Sequence, residues 1–124
     1  MNPKWPIFIP SKGRADRPLT ARALDKIGVP YRIVVQPEQE RDYRAARLRG
    51  ELLLLPKGLD GLVPTRNWIW NFAEAEGRER FWTFDDNITG LFRLNRNLKT
   101  PVGDGSTIRA CEDFTERFEN AIIS

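Results

Sequence analysis

Two adjacent carboxylates, Asp85 and Asp86, leave an aromatic run, Phe81-Trp82-Thr83-Phe84, and are followed by Asn87. Like charges at that spacing repel, and burial penalises their ionised form. Such a pair stands only if it is solvated, hydrogen-bonded or neutralised by a cation. Hard divalent metals take oxygen ligands of this kind, and Mg²⁺ commonly joins one or two carboxylates to substrate phosphates. Asp85, Asp86 and Asn87 are therefore candidate ligands for Mn²⁺ or Mg²⁺, with Asp85 and Asp86 as candidate catalytic residues. If the strand continues through them, alternation sends the two carboxylates to opposite sides, one toward a ribose and one toward the metal. The metal would neutralise a diphosphate and stabilise it as a leaving group. That chemistry describes transfer from a nucleoside diphosphate donor better than hydrolysis. The alternative is a polar turn, in which Asp-Asp-Asn and Gly90 simply end the strand.

Three further polar clusters carry chemistry. Ser11-Lys12-Gly13-Arg14 offers a hydroxyl, a flexible backbone and two cations, suited to a base, ribose or phosphate. A polar connecting loop is the alternative there. Gln36 can pair with both donor and acceptor edges of a nucleobase. Arg66-Asn67 is placed on the first turn of a helix, where backbone N–H groups and the positive helix end favour an anion. Ser11, Arg14, Gln36, Arg66 and Asn67 are thus the candidate nucleotide-binding residues. Neither G-x-x-x-x-G-K-[ST] nor G-x-G-x-x-G occurs, which argues against a nucleotide hydrolase loop and a dinucleotide fold. Histidine is absent, so acid–base work would fall to Asp or Glu.

The elements that must position these residues alternate. Strands are expected at Trp5 to Pro10, Tyr31 to Val35, Leu52 to Leu55 and Phe81 to Phe84, with one more at Gly90 to Leu94. Helices are expected at Leu19 to Ile27, Glu38 to Leu48, from Pro64 or Thr65 to Gly77, and at Ile108 to Ile123, with Lys99 to Gly105 a loop. This βαβαβαβ order predicts an α/β fold, a Rossmann-like, mainly parallel sheet with helices on both faces. Ligands of such sheets bind outside the carboxyl ends of the strands. That rule puts Ser11 to Arg14, Gln36 to Glu38, Gly58 to Asn67 and Asp85 to Asn87 along one rim.

The 124 residues suit a single domain, with 30% charged and 40% apolar residues, an ordinary globular mixture. No apolar run approaches a membrane span, and the first residues lack the apolar core of a signal peptide. A lone cysteine, Cys111, excludes an intramolecular disulfide and fits a reducing cytoplasm. Net charge is +3, and arginines crowd the first half of the chain. Fork-like guanidinium groups suit phosphates, although acidic residues dilute the excess.

With these residues in place, the chain resembles the glycosyltransferases of A-type fold, which pair a Rossmann-like nucleotide-sugar half with an acidic D-x-D-type motif. More narrowly, Ile7 to Arg14, Leu62 to Trp70 and Phe84 to Ile88 look like segments of the TET-associated glycosyltransferases of bacteriophages. The resemblance runs from about Trp5 to Asn97 and into Cys111 to Phe114. It implies a nucleotide-sugar donor, a divalent cation and a hydroxymethylated pyrimidine of phage DNA as acceptor. By the same resemblance, Ser11 and Arg14 match the first nucleotide loop, and Gln36 stands where relatives often place an acid toward the base. Arg66 and Asn67 match the R-N helix start. Asp85 and Asp86 match the acidic motif, with Asn87 where many relatives carry its last Asp.

Family domains are longer than this chain, so the resemblance implies a short or truncated donor-binding domain over residues 1–124, with a homo-oligomer as one way to complete the fold. Glu112 and Asp113 are the late acidic candidates for a catalytic base, and a carboxylate pair on the last helix is the alternative. Two other functions compete: a nucleotidyltransferase on a similar sheet, and a non-catalytic module binding nucleic acid or a partner.

Overall fold

Short β-branched, aromatic and leucine-rich runs build the centre of the molecule, whose computed structural model describes residues 2–95 and 98–116. Strands β1 (Ile7–Pro10), β2 (Arg32–Val35), β3 (Glu51–Leu54) and β4 (Trp82–Thr83) lie in the order β3-β2-β1-β4. Every neighbouring pair is parallel; Ile9 stands opposite Ile33, and Val34 opposite Leu53. This is the expected α/β, Rossmann-like arrangement.

Period-two alternation divides the apolar side chains between two faces. Ile7, Ile9, Ile33 and Val35 pack with Ala21 and Leu24 of α1 (Leu19–Ile27), Tyr43 of α2 (Glu40–Ala45) and Ile108 of α4 (Ser106–Glu116). Phe8 and Val34 face the other way, against Ile69 and Ala73 of α3 (Leu62–Ala75). Helices therefore cover both faces. Phe8 is fully buried and meets Phe72 and Phe81 edge-on, with ring centroids 6.1 and 5.8 Å away. Truncating such a side chain to alanine costs about 3–5 kcal/mol.

Several boundaries differ from the sequence expectation. The fourth strand is only two residues long, although the Phe84 N–H still bonds the Phe8 carbonyl at 3.0 Å. Phe81, Trp82 and Phe84 are half-buried. The charged helix expected over Glu38 to Leu48 is a 3₁₀ turn, Pro37–Gln39, followed by the short α2. Arg47 adopts a left-handed conformation (φ 53°) that helix geometry cannot absorb, so the helix has ended before it. Glycine does the same job for α1, where Gly28 (φ 71°) turns the chain and the Val29 N–H reaches back to the Leu24 carbonyl.

After β4 the chain forms an antiparallel hairpin, β5 (Phe92–Asn95) and β6 (Leu98–Pro101), where one strand and a loop are expected. The last helix begins at Ser106; its expected continuation through Phe118, Ala121 and Ile122 lies outside the described residues. No helix among the described residues is long and apolar enough to cross a membrane.

Candidate functional site

The strands run in one direction, so the loops leaving β1, β2, β3 and β4 meet at one end of the sheet. They enclose a cleft of about 500 Å³. Ser11, Arg14, Gln36, Asp85, Asp86 and Asn87 all line it, although they are scattered over 77 residue numbers from 11 to 87.

Asp86 is anchored by two of these side chains. Its Oδ2 accepts the Ser11 hydroxyl at 3.0 Å and lies 3.2 Å from Arg14 Nε. Behind Ser11 stands Tyr43, 2% exposed, with its hydroxyl 2.6 Å from Ser11 Oγ. The Arg14 backbone N–H donates to the same phenol oxygen at 3.0 Å. A carboxylate only accepts, so the Ser11 proton points to Asp86 and the Tyr43 proton to Ser11. The order is Tyr43 to Ser11 to Asp86. Ser11 is fixed from its backbone as well, through its N–H to the Val34 carbonyl at 2.9 Å.

Asp85 and Asn87 are exposed on the same turn, and Asp86 and Asn87 form its bend. Thr20 of α1, 1% exposed, pins that turn by its backbone. Its hydroxyl donates to the Asp85 carbonyl and accepts the Ile88 N–H at 2.9 Å. The side chains of Asp85 and Asp86 are not split across a continuing strand, because the strand has already given way to the turn.

Across the cleft, Lys12 reaches Asp60 with Nζ 3.0 Å from Oδ2, joining the loop after β1 to the loop before α3. Asp60 also accepts the Gly61 N–H at 2.7 Å. The lysine ammonium, with that N–H second, holds the Asp60 carboxyl below its ordinary value. Gln36 follows β2 in extended backbone, its amide nitrogen a long 3.5 Å from the Leu59 carbonyl.

Arg66 and Asn67 are not where the sequence reading places them. Helix α3 begins at Leu62, so both stand in its second turn, exposed and outside the lining of the cleft. Gly61, Leu62 and the buried Thr65 occupy the rim instead. The first-turn N–H groups that lack acceptors within the helix therefore belong to Leu62 and Val63, since Pro64 has none.

Asp113 is also elsewhere. It stands half-exposed at the amino end of β1, with Lys4 Nζ at 3.3 Å and Arg109 Nε at 3.2 Å. Arg109 first, and Lys4 after it, keep its carboxyl below the usual range. Glu112 beside it is fully buried and accepts three N–H groups. These are the Lys4 N–H at 2.6 Å, the Trp5 N–H at 2.9 Å and the Trp82 indole at 2.9 Å. Both acids belong to the clasp between α4 and the chain entering β1, at the opposite end of that strand from Ser11.

Among the described residues no group of three or more His, Cys, Asp or Glu side chains is placed to hold a metal ion. Asp85, Asp86 and Asn87 do share the lining of the cleft, and a hard cation that completes its shell with phosphate oxygens and water needs only one or two carboxylates from a protein.

A parallel sheet, helices on both faces and a polar cleft at its carboxyl edge define a Rossmann-like α/β protein, the architecture that binds ligands at this edge. The model of the TET-associated glycosyltransferase family matches residues 5–124, and the chain belongs to that family. It is a glycosyltransferase. No curated protein and no solved structure matches the chain.

Proposed function

We propose that this glycosyltransferase takes a nucleotide-sugar donor into the carboxyl-edge cleft and moves the sugar to a hydroxymethylated pyrimidine in phage DNA. A divalent cation, Mn²⁺ or Mg²⁺, is held in this reading by Asp85, Asp86 and Asn87. Family membership supports the transfer. The observation that carries the donor site is the convergence of Ser11, Arg14 and Gln36 with the acidic turn on one cleft.

Each residue's part follows from its chemistry. The Gln36 amide offers a donor and an acceptor to the edge of a nucleobase. Arg14 and Lys12 bring cations to the diphosphate, and their present partners, Asp86 and Asp60, keep both at the cleft until an anion competes for them. Asp86, fixed through Ser11 and Arg14, offers its carboxylate in a constant position. When bound, the cation would neutralise the diphosphate as the bond to the sugar breaks. Arg66 and Asn67 stand outside this set. Asp113 and Glu112 cannot deprotonate an acceptor in the cleft from the other end of β1.

The test is product formation. DNA containing hydroxymethylated pyrimidines is incubated with the protein, Mn²⁺ and a panel of nucleotide sugars, then digested to nucleosides and weighed by mass spectrometry. One sugar residue gained on the modified pyrimidine is the expected result. Nucleosides of unchanged mass with every donor, from protein that still binds nucleotide, would remove the acceptor assignment.

A further inference from the structure

We infer that Tyr43 is a positioning residue of the donor site, acting from the core side of the sheet to hold Asp86 in place. The inference rests on the donor-site reading above and goes beyond it, because Tyr43 lies behind the cleft and is not part of its lining.

A buried tyrosine needs one partner for its hydroxyl. Tyr43 has two, and both belong to the loop that leaves β1. It donates to Ser11 Oγ at 2.6 Å and accepts the Arg14 N–H at 3.0 Å. These are the two residues that contact Asp86 Oδ2, Ser11 at 3.0 Å and Arg14 Nε at 3.2 Å. One phenol oxygen therefore anchors both of the groups that hold the carboxylate. Ser11 has a single proton; because Tyr43 satisfies it as an acceptor, that proton is directed at Asp86. The Tyr43 ring packs in the core with Ile33, Val35 and Ala21, so the hydroxyl is carried on a rigid support. Both contacts fall on Oδ2, which leaves Oδ1 as the oxygen outside the relay. Phenylalanine at this position would keep the packing and lose only the relay.

Tyr43→Phe, Ser11→Ala and the double variant are titrated with a panel of nucleoside diphosphates, each with and without Mn²⁺, beside wild type and Asp86→Ala. Tyr43→Phe is expected to reduce the Mn²⁺-dependent part of the affinity on the order of tenfold, the usual effect of losing a hydrogen bond to a charged network. Ser11→Ala is expected to do the same, and the double variant to lose clearly less than the sum of the two single losses, since both cut the Ser11 branch and only the Arg14 branch remains to be lost. Ile108→Val, a core change on the same face but outside the relay, lowers Tm and leaves the Mn²⁺ dependence alone.

Losses that add in the double variant, or a Tyr43→Phe protein with unchanged Mn²⁺ dependence, would overturn the positioning role. Should Tyr43→Phe fail to fold, an unchanged Mn²⁺ dependence in Ser11→Ala still overturns the role, because the Tyr43 hydroxyl reaches Asp86 through Ser11. If Asp86→Ala abolishes the Mn²⁺ dependence while Tyr43→Phe keeps it, only the role of Tyr43 fails. Wild type without Mn²⁺-dependent binding, or Asp86→Ala that retains it, defeats the donor-site reading and this inference with it.

Discussion

Glu112→Gln separates a structural acid from a catalytic one. Its carboxylate is 0% exposed and takes three donors, with Lys4 N–H on Oε1 and both Trp5 N–H and the Trp82 indole on Oε2. Glutamine keeps the shape but has one oxygen. The better orientation puts that oxygen in place of Oε2, keeps two of the bonds and turns the amide NH₂ toward the Lys4 N–H. One hydrogen bond to a charged acceptor is lost, worth about 1.5–3 kcal/mol, and the two survivors weaken from charged to neutral acceptors. The sum is about 2–4 kcal/mol. For a domain of this size that moves a urea midpoint by roughly 1–2 M. Denaturation followed by far-UV circular dichroism reads the shift. Nucleotide binding and turnover per folded molecule should not change. A loss under about 1 kcal/mol would refute the clasp. Unchanged stability with lost turnover would return α4 to the role of catalytic base.

Two other expectations follow from buried hydroxyls. Thr20→Val preserves shape, but the Asp85 carbonyl loses a donor and the Ile88 N–H an acceptor, so stability should fall by about 2–3 kcal/mol. Nucleotide affinity should fall with it, and a variant that keeps both properties would show that Thr20 does not hold the acidic turn. Tyr31 gives a pH signature: burial, aided by the neighbouring Asp25 carboxylate, pushes its phenol above the ordinary value of 10.0, against a smaller opposing effect of the Gly50 backbone. Its contribution is present below pH 10 and is lost as pH rises beyond it. Tyr31→Phe should therefore flatten the alkaline fall in stability measured by urea denaturation across that range, and an unaltered slope would contradict the assignment.

The four strands of the parallel sheet and their direction were legible in the sequence because they are short apolar runs, β-branched, aromatic or leucine-rich, punctuated by proline and glycine. The cleft was legible for a topological reason, since parallel strands bring their exits to one edge and the polar residues follow those exits. The start of α3 was not. Its N-cap is Gly61, without a side-chain cap, so no Ser, Thr or Asp marks the position and Pro64 looks like the first helical residue. Reading the start too late placed Arg66 and Asn67 on the first turn, one turn too early in the helix. Tyr43 and Thr20 were hidden by their own packing. Their ring and methyl groups satisfy an apolar helix face, and nothing local reveals where a hydroxyl points. The clasp of Glu112 joins residues 108 positions apart, a contact that spacing along the chain cannot show.

The acidic turn as the metal end of a nucleotide site is tested most directly by isothermal titration of nucleoside diphosphates into wild type and Asp86→Ala, with and without Mn²⁺. The expected result is binding by wild type that Mn²⁺ strengthens, and loss of that strengthening in Asp86→Ala. Wild-type binding indifferent to Mn²⁺, or an Asp86→Ala variant that responds to Mn²⁺ as wild type does, would contradict it.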